Sequence, residues 1–61
     1  MKPGDRILTE WGDSGRIVEF GPRDKLDPLP GIKLIGNAVI YQSDVSGKLM
    51  LVYEWEVELS E

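Results

Sequence analysis

From Leu49 to Leu59 every odd-numbered residue is apolar: Leu49, Leu51, Tyr53, Trp55, Val57 and Leu59. Strict alternation places one set of side chains on one face of an extended chain, a period that no helix can use. The pattern predicts one long bent strand, or two strands joined by a single turn near Glu54-Trp55. The rest of the chain agrees with it. Asp5–Trp11 also alternates, and Arg16–Phe20 reads as the second strand of a hairpin over Gly12-Asp13-Ser14-Gly15. Ala38–Ser43 reads as a further strand, and Asp44-Val45-Ser46-Gly47 suits a type I turn with glycine in the left-handed position. Ile32–Ile35 is a short strand candidate that Gly36-Asn37 ends. Between them, Gly21–Gly31 holds Pro22, Pro28 and Pro30, which cannot donate to a ladder, so it is expected as a long loop. The expected class is all-β.

Size narrows the class further. The chain has 61 residues, so one domain over 1–61 is expected. A fold of this length buries only about 60% of the surface its unfolded chain exposes, and such folds lean on disulfides, metals or association. The chain has no Cys and no His. Disulfides, the two strongest zinc ligands, thiol nucleophiles and imidazole bases are therefore all missing. Association is the aid that remains. No run approaches the ~18 apolar residues that span a bilayer, and no basic, then apolar leader is visible at the start, so a cytoplasmic location is expected. The net charge is −4. Its whole excess lies after Lys33, where Lys48 stands against Asp44, Glu54, Glu56, Glu58 and Glu61. A nucleic-acid binder usually shows a basic patch and a high isoelectric point, and this chain has neither.

The opening Lys2-Pro3-Gly4-Asp5-Arg6-Ile7, the second strand Gly15-Arg16-Ile17-Val18 and the closing Tyr53–Leu59 resemble those of SH3-like and KOW-like barrels. The resemblance covers about two-thirds of the chain, and it implies an SH3-like small barrel of about five short antiparallel strands. Ile7, Ile17, Ile40, Leu51 and Val57 are the expected core. Gly4–Ile7 is also similar to the opening of the plasmid-encoded, trimethoprim-resistant dihydrofolate reductases, which are barrels of nearly this length. Those enzymes form tetramers around a pore lined by Val-Gln-Ile-Tyr. The matching segment here is Met50-Leu51-Val52-Tyr53, in which Leu51 replaces the ligand-contacting amide. That resemblance implies NADPH as hydride donor.

Other motifs read as structure. Gly12-Asp13-Ser14-Gly15 matches a serine-nucleophile motif, but no His is present to take the serine proton, so a hairpin turn is expected. Ser46-Gly47-Lys48 resembles the end of a phosphate loop, yet no upstream glycine or following helix supports it. Asp24 and Asp27 flank Lys25 without calcium-loop spacing. Glu54, Glu56 and Glu58 alternate on one strand face, where they would protect an edge from pairing or offer a docking strip to a basic partner. SH3 and Tudor-like barrels use aromatic grooves and cages, but Tyr53 and Trp55 fall on the apolar odd face and are expected in the core.

The functional expectation is a non-catalytic interaction module without a cofactor, which self-associates or docks on a larger protein and suits a phage or mobile-element accessory role. The alternative is nucleic-acid contact through Arg6, Arg16, Arg23, Lys25 and Lys33. Pairing Ala38–Ser43 with Leu49–Glu54 puts odd residues of the first strand opposite even residues of the second. One face then holds Ala38, Ile40, Gln42, Leu49, Leu51 and Tyr53, continuing to Trp55, and is expected to be the core. The other holds Val39, Tyr41, Met50 and Val52. With Glu54 and Glu56 at its rim, this second face is the expected partner-binding patch.

Overall fold

A computed structural model describes residues 1–60. Five strands form one antiparallel sheet in the order β4-β3-β2-β1-β5. They are β1 (Arg6–Thr9), β2 (Ser14–Pro22), β3 (Asn37–Ser43), β4 (Leu49–Tyr53) and β5 (Val57–Leu59). Four of the five follow one another as a meander. A single 3-10 turn, Glu54–Glu56, then carries the chain back so that β5 pairs with β1. The all-β class is therefore observed, and β4 and β5 are the two edges.

The turn chemistry explains the meander. Between β1 and β2 the Thr9 N–H donates to the Asp13 carbonyl (2.8 Å), and the Thr9 hydroxyl accepts from the Asp13 N–H (2.9 Å). Gly12 holds the positive φ of 86° that this turn needs. Between β3 and β4, the Ser43 N–H donates to the Lys48 carbonyl (2.9 Å) and Gly47 takes φ 72°, as its turn sequence predicts. The segment expected as a loop over Gly21–Gly31 is only partly one, because Gly21 and Pro22 end β2, paired with Ala38 and Asn37. Arg23–Leu26 is one helical turn, and the Asp24 carboxylate accepts the Leu34 N–H (2.8 Å). Pro30-Gly31 turns the chain so that Leu29 bridges Ile32. The strand expected at Ile32–Ile35 is absent beyond that single bridge.

The core consists of Ile7, Ile17, Val39, Tyr41, Val52 and Val57, with Phe20 packed against it. This corrects three assignments. Ile40 is only half-buried and Leu51 is exposed, so neither belongs to the core as expected. Trp55, also expected inside, is 61% exposed. The odd-to-even pairing of β3 with β4 is the expected one, with Tyr41 opposite Met50 and Val39 opposite Val52, but apart from Ala38, which is buried as expected, the faces are reversed.

Two phase shifts account for the reversal. The 3-10 turn interrupts the alternation of 49–59, so the buried set is even in β4 (Val52) and odd in β5 (Val57). In β2 a bulge lies between Ile17, opposite Tyr41, and Glu19, opposite Ile40. The extra residue is Val18, which is exposed, and beyond it Phe20 returns to the core side opposite Val39. Ile17 is buried and paired with Tyr41, and this pairing commits the odd residues of β3 to the core.

Tyr41 is the largest wholly buried side chain. Its hydroxyl donates to Asp13 Oδ2 at 2.7 Å, and the Ser43 hydroxyl donates to Oδ1 of the same carboxylate at 3.0 Å. One aspartate thus ties the β1–β2 turn to β3. Burial, together with the hydrogen bond to Asp13, pushes the Tyr41 phenol up to about 12. The bonds from Tyr41 and Ser43 hold Asp13 below its ordinary value.

Candidate functional site

Serine-nucleophile chemistry is not what Gly12–Gly15 provides. The Ser14 hydroxyl donates to Asp44 Oδ2 (3.0 Å), and the Arg6 guanidinium pairs with the same oxygen at 2.6 Å. Asp13 is engaged by Tyr41 and Ser43. These side chains are used to join the β1–β2 turn to the end of β3.

The cations considered for nucleic-acid contact are differently placed. Arg6 and Arg16 are directly opposite on β1 and β2, and Arg6 is the partner of Asp44. Arg23 lies over the Tyr53 ring, 3.9 Å from its centroid, and donates to the Tyr53 hydroxyl. Trp55 stacks on the same tyrosine with ring centroids 4.8 Å apart. This aromatic pair already receives a cation from its own chain.

The expected partner patch does not survive as a surface. Val39 and Tyr41 are wholly buried and Val52 nearly so, because they belong to the core face. Met50 alone of the four remains exposed, at the open edge. The three glutamates do not share a strand face either. Glu54 accepts from Asn37 Nδ2 (3.0 Å), Glu56 accepts the Tyr53 N–H (2.9 Å), and Glu58 stands on β5 opposite Leu8. A shallow cavity of about 270 Å³ lies beside the last two, lined by Leu8, Thr9, Glu10, Trp55, Glu56 and Val57 as well as Glu58. Among the described residues no group of three or more His, Cys, Asp or Glu is placed to hold a metal ion.

Exposed apolar side chains lie in the loops (Leu29, Ile32, Ile35, Val45) and on or beside β5 (Leu8, Trp55, Leu59), but only β4 presents three in succession on an edge strand. β4 reads Leu-Met-Leu-Val-Tyr, without a charge, and Leu49, Met50 and Leu51 are all exposed. The two edges are built differently. β5 is three residues long and carries Glu58, with Glu56 just before it, which is how an edge is guarded against pairing. β4 has five residues without a charge of their own, and the one carboxylate at its open side, Glu56, reaches only the last of them, Tyr53.

The backbone of β4 completes the site. In an antiparallel pair, residues alternate between those whose N–H and C=O point at the neighbour and those whose groups point away. The Ser43–Lys48 bond puts Lys48, Met50 and Val52 in the first set, facing β3. Leu49, Leu51 and Tyr53 therefore aim their N–H and C=O groups at the open side. The Tyr53 N–H meets the Glu56 carboxylate there. Sequence reasoning missed this site because it looked for a face rather than an edge. The signal was present in the uncharged run Leu49–Tyr53.

Comparison with protein-family models, curated proteins and solved structures finds no match to this chain. No helix among the described residues is long and apolar enough to cross a membrane.

Proposed function

We propose that the chain is a non-catalytic interaction module, an SH3-like small barrel that works by strand pairing at its β4 edge. The observation that carries this reading is the uncharged β4, exposed and open over Leu49–Leu51, at the edge opposite a short, glutamate-bearing β5. The barrel reading is supported by the meander order, the long proline-rich connection after β2, the tight β3–β4 turn and the return of β5 to β1. The non-catalytic reading is supported by Asp13, Ser14, Asp44 and Tyr53, whose polar atoms serve contacts within the fold. The segment aligned with the reductase pore is split between core and edge, with Val52 inside and Leu51 at the open side.

Leu51→Pro provides the test. The Leu51 N–H faces away from β3, so proline there removes an outward donor without breaking the β3 ladder. Size-exclusion profiles are compared for wild type and variant, each alone and in an extract of the source cells. Wild type should migrate above its 6.9 kDa chain mass in at least one setting, and the folded variant should return to that mass. Wild type at the single-chain mass in both settings would overturn the reading.

A further inference from the structure

We infer that the occupant of the β4 edge is the β4 of a second copy, paired antiparallel about a two-fold axis at Leu51; this rests on the reading of β4 as a docking edge. The register follows from which backbone groups are free. Two identical edges can exchange hydrogen bonds only where outward-facing residues meet outward-facing residues, here Leu49, Leu51 and Tyr53. Centring on Leu51 matches all three: Leu51 meets the partner's Leu51, and Leu49 meets the partner's Tyr53. Any other permitted shift loses at least one of these pairs. At Leu51 both copies donate and accept. At the outer pairs the Tyr53 N–H is already held by Glu56, so the Tyr53 carbonyl accepts from the partner's Leu49.

Charge complementarity selects the same register. The residues flanking β4 are Lys48 and Glu54, the latter opening the 3-10 turn, and pairing about Leu51 brings Lys48 to the end of the partner's strand where its Glu54 stands, at both ends. Lys48 is the only cation after Lys33. Asn37 occupies Oε2 of Glu54, and Oε1 is the oxygen that can receive the lysine. The apolar surface is consistent with this arrangement. Leu49 would lie beside the partner's Tyr53, and Met50 beside the partner's Val52 at the margin of its core, covering the side chains that β4 leaves in water. The contact is isologous and closes on itself, while the glutamates near β5 discourage growth from the other edge.

Sedimentation equilibrium tests this at about 100 μM, where a weak dimer with a Kd on the order of 10 μM is mostly formed. Wild type should give twice the 6.9 kDa mass. Lys48→Glu sets like charges opposite each other at both ends and should weaken the dimer about tenfold. Lys48→Glu combined with Glu54→Lys restores both pairs in reversed sense and should recover affinity to within about threefold. A monomer at this concentration overturns the self-pairing. If the same wild type migrates as a larger, Leu51-dependent species in extract, the edge belongs to a different protein and only this inference fails. A dimer whose affinity ignores both charge variants overturns the Leu51-centred register.

Discussion

Gly15→Ala should leave the chain largely unfolded at room temperature. A Cβ at this buried position would stand 2.1 Å from the Gln42 carbonyl oxygen and 2.7 Å from Tyr41 Cδ2. The first clash is with backbone, which cannot rotate away, so β2 and β3 would have to separate at the pair Gly15–Ser43. Overpacking typically costs about 1–3 kcal/mol, and more where the obstacle is backbone. A core of this size supplies little above about 3–5 kcal/mol in total. Gly21→Ala, in the same strand, is the control, since its Cβ would meet nothing within 4 Å. Circular dichroism melts should show loss of the transition for Gly15→Ala and a nearly unchanged one for Gly21→Ala. Equal stability of the two would mean that β2 and β3 are not packed this closely.

Tyr41→Ala should be comparably damaging, at about 3–5 kcal/mol, because it empties the largest fully buried site in the sheet. Tyr41→Phe separates the ring from the hydroxyl. It keeps the packing, removes one donor from Asp13 and should cost about 1–2 kcal/mol, since Ser43 still serves that carboxylate. The same hydroxyl gives the protein an alkaline limit. An unfolded tyrosine ionises near 10, whereas the buried one holds its proton up to about 12. The stabilisation is therefore complete below pH 10 and is lost as pH rises from 10 to about 12, by roughly 1–2 kcal/mol after solvent screening near Asp13 is allowed for. Tyr41→Phe should flatten that part of the urea-midpoint profile. Asp13 acts in the opposite sense: its folded value lies below the ordinary one, so its contribution is present above the ordinary carboxylate range and lost as acid protonates it. An alkaline decline that persists unchanged in Tyr41→Phe would place its cause elsewhere.

These two residues also show how far the sequence could be read. The strand positions other than Ile32–Ile35, the Gly12 and Gly47 turns and the odd-to-even pairing of β3 with β4 were legible, because alternation and turn chemistry are local. The buried face was not. Val39, Tyr41 and Val52 compete with Ile40, Leu49 and Leu51, and a hairpin that is apolar on both sides gives period two nothing to choose between. The choice is made by Ile17, more than twenty positions upstream, through its pairing with Tyr41. The run from Leu49 to Leu59 looked continuous because a 3-10 turn of three residues leaves the odd–even count intact while rotating the chain. Trp55 is carried outside by that turn, onto Tyr53. The proposed docking edge was half legible: Met50 and Glu54 were among the expected residues, but the strand's exposed side depends on the order of the sheet.

Amide hydrogen exchange followed residue by residue tests the central claim, that β4 docks through its open edge. At high protein concentration the Leu49 and Leu51 amides should be protected, and dilution should release both while Met50 and Val52, bonded to β3, stay protected. Leu49 and Leu51 exchanging freely at every concentration, beside protected Met50 and Val52, would contradict it.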